Sequence, residues 1–524
     1  MRGAPLSMDG RSLPEPEVAA GPSRPGWPVA AVACAALLVH LLCGNRYGVF
    51  RDELYYLACG RHLAWGYVDQ PPVIALLARF ASELFGSSPM GLRIPAYLAH
   101  AGAVLVAALL AARLGGGRYA QFLAAFLVLT VPAILGSAHL LTMNAFEPLL
   151  WTGLTVAVLQ AVEGDRRRGW LAVGAWVGIG FLTKYSMAFW SVGLLVGLLA
   201  TSARRALKSP WFLVGVGIGA AIALPNFLWQ ARQGLPMLEL LRQQGDKNTP
   251  FTWLGYVTEV LKANNPFSIL LWGPGLAFLL LDRPSGRRWL GLGFLATAIL
   301  LGVLHAKPYY LSPAFPSLFA ASACTVEELV RRRSLRIAIV MGLLVTAAPL
   351  APLALPLLSP EAFESLRARS GIRVRPNERL DVAAPLPQYF ADQFGWPELV
   401  ESVARLYRAL PEEERAQTAI LAPDYGMAAA IDFYGPPLGL PPAVSGHNNY
   451  WLWGPPPADT RAVLFLGPRA QDSRAAHAAC GTFGQVGETP DSRWNMPYER
   501  LRPIYLCVDP GDLFEAWRRF RFVR

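Results

Sequence analysis

Charge is scarce in this sequence: Asp, Glu, Lys and Arg make up 16% of 524 residues against 53% hydrophobic ones, and the mean hydropathy is +0.33. A soluble globular domain carries about a quarter of its residues charged, so that class is excluded. Lysine is scarcer still, with five in the chain, and cysteine stops at six, too sparse for a disulfide-stapled secreted scaffold. There is no P-loop, no G-x-G-x-x-G fingerprint, no Cys/His cluster at metal-ligand spacing and no internal repeat. Those absences remove the usual signatures of nucleotide binding, structural zinc and solenoid folds. Glycine and proline follow no strict period, which excludes a collagen-like chain. The net charge of +11 invites nucleic acid, but its placement argues otherwise. Residues 1–358 carry 29 Lys and Arg against 16 Asp and Glu, whereas residues 359–524 carry 18 against 20. The basic excess lies in the apolar half, where it orients a membrane protein, and no nucleic-acid partner is expected.

Apolar runs approaching the roughly 20 residues of a membrane helix occur at 27–44, 90–112, 119–140, 143–162, 170–183, 187–202, 210–230, 266–281, 289–305, 308–329 and 337–357. With the N-terminus in the cytoplasm, the dense basic loops all fall inside: Arg113/Arg118, Arg166 to Arg168, Arg204/Arg205/Lys208, Arg283/Arg287/Arg288 and Arg331 to Arg333 with Arg336. The expected fold is therefore a polytopic α-helical membrane protein with about 11 transmembrane helices, integral to the cell (inner) membrane. Residues 1–26 are a cytoplasmic disordered tail, 27–358 the membrane domain and 359–524 an extracytoplasmic soluble domain. The first run lacks a small-x-small cleavage pattern and reads as a retained anchor. The last domain alternates short apolar runs, such as 418–422 and 462–466, with Gly/Pro loops and reads as α/β. Its Cys480 and Cys507 are either a disulfide or two buried thiols.

The residues that could do chemistry gather on the outer side. After the first run comes Arg51-Asp52-Glu53-Leu54-Tyr55-Tyr56, then Tyr67-Val68-Asp69-Gln70-Pro71-Pro72, so that 45–72 forms an outer-loop site. Residues 51–64 can form an interfacial helix with Leu54, Leu57 and Ala58 toward the bilayer and Asp52, Tyr55, Tyr56 and Cys59 opposite. A carboxylate near apolar surroundings can act as a base; equally, Asp52 can cap a helix and Glu53 favour its dipole. Lys184-Tyr185 and Lys307-Pro308-Tyr309-Tyr310 stand at outer ends of runs, where a cation suits an anionic lipid head group, or snorkels. Glu147, near Asn144, lies one turn into a run and needs a partner such as Arg93 or His139, or a substrate. His305 is a substrate ligand or a packed interfacial histidine. His447 and Asn448 lie in a Gly/Asn loop beside aromatics, either a sugar-binding loop or a turn on a packed cluster. Lipid transport is the rival reading, but ionisable groups crowd one face and no repeats appear.

Over residues 27–330 the chain resembles the lipid-sugar-dependent GT-C glycosyltransferases of the protein O-mannosyltransferase and aminoarabinose transferase superfamily. Arg51-Asp52-Glu53 with Tyr55-Tyr56, and Tyr67 to Pro72, carry the resemblance. It implies an inverting transferase that moves a sugar from a polyprenyl-phosphate donor to a lipid, protein or cell-wall glycan acceptor among the membrane lipids. Asp52 aligns with the catalytic Asp, Glu53 with its acidic neighbour and Asp69 with a second acidic residue. Arg51, Lys184, Tyr185, Lys307, Tyr309 and Tyr310 would hold the donor phosphate. Tyr55, Tyr56, Asn144, Glu147, His305, His447 and Asn448 are possible substrate contacts. Gln70 departs from the Lys of aminoarabinose transferases, and Asn144 from an Asp common among relatives. No cofactor and no catalytic metal are expected.

Overall fold

The computed structural model describes residues 26–243, 250–281, 286–371, 384–467, 480–511, 517 and 522. The expected tail, apart from Gly26, and Arg283 lie outside them. Each of the eleven expected runs falls on helical structure. Among the described residues, three helices are long and apolar enough to cross a membrane alone: Pro89–Arg113, Met143–Glu163 and Pro210–Arg232. Three bent pairs raise the number to six. This is the helical body of a polytopic membrane protein.

Local chemistry sets the breaks. Helix Arg118–Leu129 stops at Thr130, Pro132 opens the next helix, Pro132–His139, and the chain bends by 62° where a single straight span was expected. Proline suits a first turn because its missing N–H would find no partner there. The interruption at Lys184 is also real: helix Arg166–Thr183 ends, Lys184 is extended, and Met187–Leu199 follows. Helices Arg166–Thr183 and Pro210–Arg232 cross on glycine. A Cβ at Gly174 would lie 2.2 Å from the Gly215 carbonyl oxygen, and one at Gly215 2.4 Å from that of Trp170. Small residues let the backbones meet, the packing that works where lipid removes the hydrophobic drive between helices.

Residues 384–467 and 480–511 build the second unit. Strands β1 (Thr418–Leu421), β2 (Ala443–Val444), β3 (Ala462–Leu466), β4 (Cys480–Glu488) and β5 (Pro503–Pro510) form a sheet of order β2-β1-β3-β5-β4. β1 runs parallel to β2 and β3, and β5 is antiparallel to β3 and β4. Helices Trp396–Ala409 and Tyr425–Tyr434 contribute to the core beside it, so the unit is α/β.

One expectation about orientation is corrected here. Helix Arg51–Arg61 does not turn Leu54, Leu57 and Ala58 to lipid: they are buried in one core with Val400, Met427, Ile431 and Leu464 of the second unit. An apolar face is buried by whatever covers it, and helix Tyr425–Tyr434 covers this one. The Arg51–Arg61 helix is thus held between the membrane body and the α/β unit.

Cys480 and Cys507 form a disulfide across β4 and β5, 27 residues apart. By loop closure it should stabilise the unit by about 2–4 kcal/mol. Cys507→Ser in the full chain is expected to lower the melting temperature, and mild reductant should bring the wild type down to match; equal melting of all samples would contradict this.

Candidate active site

The site begins with a buried ion pair. Glu53 is fully buried and receives Arg93 Nε at 2.8 Å and Arg93 Nη2 at 3.0 Å. Its carboxylate also accepts the backbone N–H groups of Phe50 and Leu141, each at 2.8 Å. Four donors saturate the two oxygens. Arg93 spends its other N–H groups on the carbonyls of Gly44 (3.2 Å) and Gly48 (2.8 Å) and on Gln393 Oε1 (3.1 Å). The pair therefore fixes the start of helix Arg51–Arg61, and with it the direction of the neighbouring residue, Asp52.

Asp52 lines a cavity of about 780 Å³ together with Arg51, Asn144, His305, Lys307 and Tyr309. Six residues anticipated from positions scattered over 51–309 thus meet in one space. Apolar side chains at Pro132, Ala133, Leu350, Leu353 and Ala354 form part of its wall. The bend before Pro132 is what brings helix Pro132–His139 to it.

Among the further lining residues that escaped the sequence reading are Glu259, Lys262, Asp392 and Tyr425. Lys262, ion-paired to Glu259 at 3.0 Å, carried a usable signal, being one of five lysines and falling on the side that the expected topology makes unfavourable for them. Tyr425 carried none. Its hydroxyl donates to Asp52 Oδ1 at 2.7 Å from a residue 373 positions away.

Other anticipated residues sit behind the wall. Lys184 donates to Asn144 Oδ1 at 2.5 Å and Glu147 Oε2 at 2.7 Å, and lies 4.4 Å from the Tyr310 ring centroid. Ser186 gives Glu147 another hydrogen bond. Glu147 is thus partnered by Lys184, not by Arg93 or His139, because Arg93 is spent on Glu53. Lys184 therefore positions Asn144 and, unlike Arg51 and Lys307, is not on the cavity lining. Tyr185 donates to Asn226 at 3.0 Å and accepts from Gln230 at 3.3 Å, bonds that pin the loop at 65–67 through Trp65 and Tyr67 carbonyls.

Asp69 accepts from Tyr55 at 3.1 Å and from Asn448 Nδ2 at 3.0 Å. His447 Nδ1 accepts the Tyr425 backbone N–H at 3.3 Å. His447 and Asn448 are buried where the two units meet and do not line the cavity, an arrangement that fits the turn on a packed cluster, the second of the two readings of that loop. Glu53, Asp69, Tyr55 and Tyr56 likewise do not line it, so their place is in support of the wall. Gln70 is buried against Cys59.

Electrostatics around Arg51 are those of a closed cluster. Arg51 Nη2 lies 3.3 Å from Asp424 Oδ1, and its guanidinium stacks 4.7 Å over the Tyr425 ring. Burial alone would raise the Asp424 carboxyl, but Arg51, with Arg502 and His447, holds it below the ordinary carboxylate range. Burial, then the Asp52 charge, pushes the Tyr425 phenol well up, so it stays a neutral donor. Burial pushes Glu499 up to about 7. Among the described residues, no group of three or more His, Cys, Asp and Glu is arranged to hold a metal ion.

Comparison with known proteins agrees in class. Residues 69–229 match the family described as dolichyl-phosphate-mannose-protein mannosyltransferase. That stretch is narrower than the 27–330 of the resemblance and starts after Asp52 and Glu53. The lipid A galacturonosyltransferase RgtD of Rhizobium johnstonii is 30% identical over 184 residues, 34% of this chain and 38% of that protein. The undecaprenyl phosphate-alpha-4-amino-4-deoxy-L-arabinose arabinosyl transferase of Pseudomonas savastanoi pv. phaseolicola is 31% identical over 180 residues, 34% of this chain and 28% of that protein. The match thus spans less than two fifths of either relative's length. ArnT from Cupriavidus metallidurans, in its apo state, superposes with a TM-score of 0.61 at 15% identity, covering 92% of this chain and 97% of ArnT. Bound to undecaprenyl phosphate, ArnT gives 0.58 at 16%, covering 94% and 99%. The chain is thus similar to this family over residues 69–229, to these transferases over about a third of its length, and to ArnT in fold.

Breaking a buried pair from one side leaves a bare charge and costs about 3–5 kcal/mol. Arg93→Leu should accordingly collapse the yield of folded, monodisperse protein, and adding Glu53→Leu should recover part of the melting temperature. A single variant that melts like wild type would remove the pair as anchor.

Proposed function

We propose that this protein is an inverting glycosyltransferase that moves a sugar from a polyprenyl-phosphate donor to an acceptor hydroxyl at the outer face of the inner membrane. The observation that carries the reading is the cavity in which Asp52, with Glu259 and Asp392 also on the lining, shares a partly apolar wall with Arg51, Lys262 and Lys307. The acceptor oxygen attacks the anomeric carbon from the side opposite the phosphate. As that bond forms, the bond to the phosphate oxygen breaks and its electron pair leaves with the phosphate. Asp52 takes the acceptor proton. Arg51 and Lys307 meet the charge growing on the leaving phosphate, with Tyr309 and His305 beside them. Charge stabilisation falls to these side chains, and the reading includes no catalytic metal.

The finer topology belongs to the same reading: eleven spans, the N-terminus cytoplasmic, and residues 359–524 outside with the cavity beneath them. Names of the relatives point to an undecaprenyl-phosphate donor and, through lipid A, to a lipid acceptor. They are transferases, which weighs against transport. Glu53 and Asp69 are supports in this reading, and Asp52 is the base.

Asp52→Asn should lower transfer from a panel of radiolabelled polyprenyl-phosphate sugars to cell-envelope extract by about 10²–10⁴-fold, with folding retained. Wild-type activity should survive chelator. Near-full turnover by the variant would remove Asp52 as base, and loss in chelator restored by a divalent ion would put a metal in the step.

A further inference from the structure

The α/β unit reaches the cavity at Gln388, Tyr389 and Asp392 and at Tyr425, the first residue of helix Tyr425–Tyr434 and the one whose hydroxyl meets Asp52. Everything around that residue fixes where its hydroxyl lies. Asp424 caps the helix, accepting from Gly426 N at 2.8 Å and Met427 N at 3.1 Å, and also pairs with Arg51. The Tyr425 N–H is taken by His447, and its ring sits between the Arg51 guanidinium and the Tyr55 ring, whose centroid is 4.8 Å away. The approach is so close that a Cβ at Gly426 would stand 2.6 Å from Arg51 Nε. The phenol held this way donates its proton to Asp52 Oδ1.

We propose that Tyr425 is a positioning residue for sugar transfer, its hydroxyl holding the Asp52 carboxylate in one orientation at the cavity wall. The α/β unit is then part of the active site and not an appendage, and its loop bond from Asn448 to Asp69 braces the same side. This inference rests on the transferase reading. A donor to an ionised carboxylate favours the ionised form, so Tyr425 also keeps Asp52 ready as base at lower pH. The groups that bear on Asp52 and Tyr425 are Arg51 and Tyr56 on its own helix, Asp69 on the following loop, Tyr309 on the 308–314 turn, and Asp424 and His447 in the α/β unit.

The test uses the full chain in detergent with a polyprenyl-phosphate sugar and envelope extract, comparing wild type with Tyr425→Phe across pH. The ring packing survives in that variant and only the donor is lost. The expected result is a fall in kcat of about tenfold, with donor KM little changed. The acid limb of the profile should move up by about one pH unit, since a carboxylate that loses a donor gains its proton more readily. Infrared difference spectra of wild type minus Asp52→Asn, titrated with pH, should show the same displacement of the Asp52 carboxylate without any turnover. Should the phenylalanine variant not purify folded, 3-fluorotyrosine placed at 425 makes a stronger donor and must move the limb to lower pH. An unmoved limb, whether kcat is unchanged or uniformly lower, overturns the proposal while leaving the transferase reading intact. No transfer by wild type from any donor overturns the transferase reading, and this inference with it.

Discussion

The Arg93–Glu53 pair is the constraint on which the rest of the site depends. Removing both charges from water costs several kcal/mol per ion, and that cost is offset only when geometry and hydrogen bonding are complete. Here they are: two parallel N–H groups to the carboxylate, two backbone N–H groups to its remaining positions, and backbone carbonyls for the rest of the guanidinium. Because Arg93 also bonds Gln393, the pair ties the helical body to the α/β unit. The consequence is a division of labour between adjacent acids. Glu53 points inward and is saturated, and Asp52, one residue earlier on the helix, points to the cavity.

The same logic explains why two units act as one. The Arg51–Arg61 helix contributes Leu54, Leu57 and Ala58 to a core that contains Met427, Ile431 and Leu464, so the α/β unit buries a face that would otherwise need lipid. Charge follows packing. Arg51 faces Asp424, Asp52 faces Tyr425, and Asp69 faces Asn448. Arg51, Asp52 and Asp69 are therefore each set by a partner from the far end of the chain, which gives this side of the site a rigidity that a free loop would lack.

Much of this was legible in the sequence where the physics is local. Apolar length located helices in all eleven runs, Lys184 marked a true break, and β-type runs at 418–422 and 462–466 became β1 and β3. The bend at Pro132 was missed because apolar length is blind to direction, although the proline itself was visible. Among Asp52, Glu53 and Asp69, only spatial partners decide which faces the cavity: Glu53 takes a cation from helix Pro89–Arg113 and Asp69 takes an amide from Asn448. Tyr425, in a separate unit, had no signal at all. Lys307 was legible because a lysine at the end of an apolar run beside aromatics is costly without a purpose, and His305 and Tyr309 line the cavity with it.

A structure of the full chain with a non-transferable polyprenyl-phosphate sugar analogue tests the central claim most directly. The phosphate oxygens are expected within hydrogen-bond reach of Lys307 and Arg51, with the anomeric carbon facing Asp52 and Glu53 still closed on Arg93. A phosphate bound elsewhere, or an anomeric carbon turned toward Asp69 with Asp52 remote from it, would contradict the assignment of Asp52 as the base.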